Sequence, residues 1–174
     1  MSKHIETTLE HLLTNSHKAK LISYLESNPG DFVSVIKLAI ADHQPYSWRA
    51  SWLLWSCMKK KDKRLRKYLE EIIDILPARK DSQQRELLLI LQRMELSEEH
   101  EGKLFDICAK IWEQTAKIAS VRYNAFKLMV SISKNHQELF GEIKTMTESF
   151  YTDNLSETVK KSISKLMKEI EELN

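Results

Sequence analysis

The chain has 174 residues, with 27 Lys and Arg against 25 Asp and Glu, which gives a formal net charge of +2. This length is enough for one hydrophobic core without disulfides or metals, and a strongly basic nucleic-acid-binding domain would carry more net charge. Only three Gly and three Pro are present, so the chain lacks the turns of a sheet protein and the glycine-rich loops that cradle phosphates. We therefore predict an all-α fold, a single domain over residues 1–174, and no cofactor.

The apolar pattern predicts helices from one end of the chain to the other. Ile5, Leu9, Leu12 and Leu13 share one helical face. The helical pattern breaks at Asn28, and Asp31 is predicted to cap the helix that follows. In the first half of the chain this pattern predicts a first helix through these four residues and further helices over about 16–27, 32–42, 46–58, 63–76 and 82–94.

Polar residues at helix starts place the remaining boundaries. Asp62 is predicted to cap helix 63–76, which Pro77 ends, and Asp81 with Gln84 resembles a capping box for the next helix. Ser97 and Ser120 begin the following two helices. The second half is predicted to hold helices over about 98–114, 121–134, 136–151 and 155 to the C-terminus, the last with an Asn154–Glu157 capping box.

The location of the protein is also constrained by its sequence. The start, MSKHIETTLEHLL, lacks the apolar run of a signal peptide, and apolar runs such as Leu87–Leu91 are too short to span a membrane. Cys57 and Cys108 each lie among apolar residues, which is typical of buried reduced thiols. We predict a cytoplasmic protein without a membrane segment.

A basic residue recurs early in the second helix of each predicted pair. The segments PYSWRASWLL, DSQQRELLLI, IASVRYNAFK and SETVKKSISK share a polar cap, this basic residue and an apolar run. The basic residues are Arg49, Arg85, Arg122 and Lys160, separated by 36, 37 and 38 residues. Helix hairpins at this spacing are typical of an α-solenoid. The chain resembles the HEAT and armadillo-like repeat families, which implies an α-α superhelix of about five antiparallel hairpins.

The segment PYSWRASWLLWS holds three of the four tryptophans and one charged residue, Arg49. Because this helix is apolar nearly all round, we expect Trp48, Trp52 and Trp55 to lie mainly in the core. Arg49 is then a buried arginine that needs a partner, and Asp42 is the nearest candidate. The alternative is an aromatic patch that stacks a nucleic-acid base.

Three functions follow, of which we favour a non-enzymatic module that binds an unknown protein or peptide. The alternative is a nucleic-acid-binding protein resembling the HEAT-like alkylpurine DNA glycosylases, which use a basic face with tryptophans. An all-α lyase of the adenylosuccinate lyase and fumarase type is disfavoured, because its glycine- and serine-containing loop and its long helices are absent. The candidate partner-binding residues are Arg49, Arg85, Arg122, Lys127, Trp48 and Trp52. For the column of basic residues we favour a structural role, in which the side chains bond carboxylates or carbonyls of the turns, over a row of ligand contacts.

Two further patterns in the sequence concern ligand binding. The run KKKDKRLRK at 59–67 has seven basic residues in nine, which suits either contact with phosphates or a solvated helix start. His4 and His11 are seven residues apart, whereas zinc sites on one helix usually use a spacing of four with further ligands. We predict no metal site.

Overall fold

The computed structural model describes residues 6–172 of the chain. Eleven α-helices and no strand lie within this range, so the prediction of an all-α fold is confirmed. The chain forms two compact units that divide after Met94. The prediction of a single domain over residues 1–174 stays a prediction.

The first unit contains six α-helices joined by turns and 3-10 segments. They are α1 (Thr8–Asn15), α2 (Lys18–Ser27), α3 (Phe32–Ile40), α4 (Tyr46–Cys57), α5 (Leu69–Ile75) and α6 (Asp81–Leu91). Helix α4 packs against α1, α2, α3 and α6. Its fully buried side chains are small or aliphatic and include Ala50, Leu53 and Leu54. Residue Ile5 of the predicted first helix lies outside the described residues.

The second unit contains five α-helices. They are α7 (Glu98–Glu113), α8 (Ala119–Ser133), α9 (Phe140–Thr145), α10 (Ser149–Thr152) and α11 (Glu157–Glu171). Helix α8 packs against α7, α9 and α11. Trp112 of α7 is fully buried beside Phe126 of α8, with 4.7 Å between the ring centres.

Two predicted helices are divided in the structure. The predicted helix 63–76 begins as a 3-10 turn, Lys63–Tyr68, before α5. The predicted helix 136–151 is a 3-10 turn followed by α9 and α10. The hydroxyls of Thr145 and Thr147 donate to the carbonyls of Gly141 and Lys144. Such local bonds compete with the backbone ladder of a helix, which accounts for the interruption.

The predicted caps on Asp62 and Ser97 are confirmed. The Asp62 carboxylate accepts hydrogen bonds from the backbone N–H of Lys59 and Arg64 and from the Arg64 side chain. Ser97 caps α7, where His100 completes the capping box. The Arg64 hydrogen bonds lower the pKa of Asp62 to about 2. This carboxylate therefore fixes the turn that joins α4 to the 3-10 segment.

Four predicted caps are wrong, because other groups bond Asp31, Gln84 and Asn154 or because the helix begins at a different residue. Asp31 accepts a hydrogen bond from the Tyr24 hydroxyl and makes no capping bond to α3. Helix α6 begins at Asp81 itself, and Gln84 donates to the Leu76 carbonyl. The predicted starts at Ser120 and Asn154 are replaced by an uncapped start of α8 at Ala119 and by a Ser156 cap for α11.

Candidate functional site

A groove of about 380 Å³ lies in the first unit, beside the first half of α4. We call it the α4 groove. One wall comes from the turn before α2 and from α2 itself, through Ser16, His17, Lys18 and Leu21. The other wall comes from α4 and α6, through Trp48, Arg49, Trp52 and Arg85. Four of the six predicted partner-binding residues therefore line one groove.

The tryptophans of α4 are half-buried, so the prediction that they lie mainly in the core is wrong. Residues 48, 52 and 55 form a stripe along the helix, and small or aliphatic side chains fill the interior beneath it. The fully buried tryptophan is Trp112 of the second unit. Tryptophan suits a half-buried position because it combines a large apolar ring with a polar N–H group.

Each tryptophan ring of α4 lies next to a cation. The Arg49 guanidinium carbon is 5.4 Å from the Trp48 ring centre, and the Lys18 ammonium is 5.0 Å from that of Trp52. Outside the groove, the Arg93 guanidinium carbon is 4.9 Å from the ring centre of Trp55. Cation–π contacts of this kind contribute about 0.5–1 kcal/mol at exposed positions. These three contacts place a positive charge beside each tryptophan ring of the stripe.

Arg49 is half-buried, and its partner is not Asp42. One guanidinium nitrogen donates to the Leu13 carbonyl near the end of α1, at 2.7 Å. Asp42 is 63% exposed and lies 3.8 Å from the guanidinium of Arg79. The predicted pair fails because an arginine at a helix end can bond the last carbonyls, which have no partner within the helix. Within residues 6–172 no carboxylate neutralises Arg49 or Lys18.

Arg85 differs from Arg49 because it already has a carboxylate partner. Its guanidinium makes two hydrogen bonds to one carboxylate oxygen of Glu86. The Arg85 side chain is 41% exposed, whereas that of Glu86 is 1% exposed. The other Glu86 oxygen is buried without a hydrogen-bond partner. The positive charge that Arg85 adds to the groove is therefore already paired with the Glu86 carboxylate.

The start of α2 contributes further hydrogen-bond donors. His17 is the residue that precedes this ten-residue helix, and its side chain makes no capping bond. The first N–H groups of a helix have no partner within the helix and carry partial positive charge. Together with the cations, they make the groove rich in donors. None of its lining residues is acidic.

The other two predicted partner-binding residues lie in the second unit. Arg122 of α8 is fully buried and donates to the Trp112 carbonyl, the Asn154 side chain and the Tyr151 carbonyl. Burial lowers the pKa of its guanidinium. Lys127 lies on the same helix with an exposed side chain. Arg122 thus tethers chain segments of its own unit and offers no surface to a ligand.

The charge of the chain is unevenly divided between the two units. The first unit has 16 basic and 11 acidic residues, a formal net charge of +5. The second has 11 basic and 14 acidic residues, a formal net charge of −3. The overall value of +2 conceals this difference, so sequence totals alone missed the basic character of the first unit.

The cysteines and histidines form no recognisable reactive centre in the part of the chain that the structure describes. Cys108 is buried and Cys57 half-buried, both as free thiols, and burial raises the pKa of each. Thiols of raised pKa are poor nucleophiles. Among residues 6–172 no three His, Cys, Asp or Glu side chains are grouped as a metal ion would require.

Comparison with known families agrees with the helical-repeat prediction. A family model described as a HEAT repeat domain matches residues 5–170. The chain belongs to the HEAT repeat family. No curated protein and no solved structure matches it. In residues 6–172 no helix of this HEAT repeat protein is long and apolar enough to cross a membrane.

Proposed function

We propose that this protein is a non-enzymatic, cytoplasmic interaction module that binds an anionic segment of a partner protein in the α4 groove. HEAT repeat membership supports an interaction module, because helical repeats present extended surfaces to their partners. The free thiols of Cys57 and Cys108 agree with a reducing compartment.

One observation carries the choice of an anionic ligand. Arg49 and Lys18 face the groove beside tryptophan rings, and no carboxylate of the described residues neutralises them. Lys18 is exposed, whereas Arg49 is partly buried without a carboxylate partner, and a ligand that supplies a counter-ion stabilises it because a charge-assisted hydrogen bond is about twice as strong as a neutral one. The tryptophans offer apolar surface for the neighbouring side chains of the same segment.

The test uses two pools of eight-residue peptides that are labelled with fluorescein. Both have two fixed central residues and random flanking residues without Asp, Glu or Cys. The Glu pool carries two glutamates at the centre, and the Gln pool carries two glutamines. We expect fluorescence anisotropy to show tighter binding of the Glu pool. Lys18→Gln and Arg49→Gln should each weaken that binding about tenfold, which corresponds to about 1.4 kcal/mol.

Lys37→Gln is the matched control, because Lys37 is an exposed lysine of the first unit that does not line the α4 groove. It removes the same charge and should leave binding of the Glu pool unchanged. Equal binding of the two pools, or an equal loss in the Lys37 variant, would show that the groove does not recognise anionic segments.

A single-stranded nucleic acid is the second candidate, and the tryptophan stripe favours it. Trp48 and Trp55 are about 10 Å apart along α4 at 1.5 Å per residue, and each ring has an adjacent cation. Aromatic rings along a basic surface are how sequence-tolerant single-strand binders hold successive bases. Because Trp55 is outside the groove, Trp55→Leu should weaken binding of an eight-nucleotide oligothymidylate but leave peptide binding intact.

A further inference from the structure

The α4 groove offers more donors and more positive charge than one carboxylate can use. Lys18 and Arg49 are uncompensated by described carboxylates, and Arg85 is shared with Glu86. The uncapped start of α2 adds backbone N–H groups at the same wall. A carboxylate brings one charge and two oxygens, whereas a phosphate monoester brings nearly two charges and three oxygens.

We propose that the α4 groove recognises a phosphorylated serine or threonine in the partner segment. This inference rests on the proposed function, since it names the anionic group that the groove takes. The phosphate oxygens accept hydrogen bonds from the Arg49 and Arg85 guanidinium groups and from the Lys18 ammonium. Arg clusters are the usual recognition elements for phosphorylated motifs, because the guanidinium fork matches two phosphate oxygens.

The tryptophans distinguish a peptide from a free anion. Trp48 and Trp52 are half-buried on the groove wall, so they provide apolar contact area beside the anion site. A groove of about 380 Å³ accommodates the phosphorylated residue with little of its flanking chain. The flanking residues of the segment then pack on the indole rings, and inorganic phosphate alone makes only the polar contacts.

The test compares three peptide pools at matched length. The pSer pool has phosphoserine and glutamine at the two fixed central positions, so its charge is close to that of the Glu pool but is concentrated in one group. We expect the pSer pool to bind about tenfold more tightly than the Glu pool, because the phosphate gains one to three additional charge-assisted hydrogen bonds. Inorganic phosphate should displace the pSer pool at millimolar concentration.

Three variants assign the effect to the groove. Lys18→Gln and Arg49→Lys should reduce the preference for the pSer pool at least about fivefold, the second because lysine keeps the charge but loses the fork. The exposed Lys18 side chain makes no hydrogen bond to a described residue, and its ammonium contacts the Trp52 ring, so we expect its variant to keep the fold, which circular dichroism verifies. Lys37→Gln should retain the full preference.

The outcomes separate this inference from the proposed function. Equal binding of the pSer and Glu pools, with both lost in Lys18→Gln, would overturn phosphate recognition and leave the anionic-segment function intact. If the groove variants still bind both the pSer and the Glu pools, phosphate recognition and the anionic-segment function are both overturned. Tighter binding of a 5′-phosphorylated tetrathymidylate than of the pSer pool would assign the phosphate site to nucleic acid and refute the inference.

Discussion

Replacing Arg122 tests whether the predicted row of basic residues is partly structural. Arg122 is fully buried and bonds three groups, the Trp112 carbonyl, the Tyr151 carbonyl and the Asn154 side chain. Its guanidinium carbon also lies 4.5 Å from the Trp112 ring centre. The side chain thereby links α7, α8 and the segment before α11 within the second unit.

The magnitude follows from these contacts. Each hydrogen bond from a charged group contributes about 1.5–3 kcal/mol, but removing the guanidinium also removes the cost of burying its charge. We expect Arg122→Met to lower the free energy of unfolding by about 3–5 kcal/mol. Methionine retains much of the stem volume, so the loss reports unsatisfied acceptors more than a cavity.

Urea unfolding followed by circular dichroism measures this change. Lys127→Met is the matched control, because Lys127 lies on α8 with an exposed side chain. Its effect should stay within about 0.5 kcal/mol. A loss below about 1 kcal/mol for Arg122→Met would refute the reasoning, since the hydrogen bonds would then contribute little to stability.

Two further predictions concern ionisable groups. The Asp62 pKa lies at about 2, below its ordinary 3.8, so its contribution to stability is present above pH 3.8 and is lost as the pH falls through 2. In urea unfolding at neutral pH, Asp62→Asn should lower the free energy of unfolding by about 1–2 kcal/mol. The difference in free energy between this variant and the unmodified protein should shrink between about pH 4 and pH 2. A difference that stays constant with pH would contradict this prediction. The hydrogen bond that the His136 ring donates to the Glu101 carboxylate raises the pKa of His136 above its ordinary 6.5, so this contribution is present below pH 6.5 and is lost as the pH rises through the raised value. An NMR titration should give a His136 midpoint above 6.5 that falls in Glu101→Gln, and a midpoint at or below 6.5 would disprove the assignment.

Helix periodicity and composition predicted the fold class, because most helices place apolar residues on a face that the structure buries, whereas Phe150 of α10 is 76% exposed. The sequence did not predict which capping side chains would bond another group of the folded chain instead of the helix start. The Asn154 side chain follows the pattern of a cap but bonds Arg122 and the Thr115 carbonyl. Only the folded chain places these groups within reach, so a four-residue pattern does not report the competing partner.

Four of the six predicted partner-binding residues line the α4 groove, and their binding of a partner stays a prediction. The repeat spacing drew attention to Arg49 and Arg85, and both line the α4 groove. The contribution of Lys18 and His17 was missed, since they lie in the opening helix pair where no basic residue repeats at the same spacing. Their proximity to Trp52 depends on how α2 packs against α4. A count of charge along the first 94 residues would have indicated the basic surface.

NMR spectra of the indole N–H groups test the central claim most directly, because the four tryptophans occupy different environments. Trp48 and Trp52 line the α4 groove, Trp55 lies on α4 beyond it, and Trp112 is fully buried in the second unit. Addition of the Glu pool should shift the Trp48 and Trp52 signals to saturation and leave the Trp112 signal in place. Unchanged Trp48 and Trp52 signals at peptide concentrations that saturate the anisotropy change would contradict binding in the α4 groove.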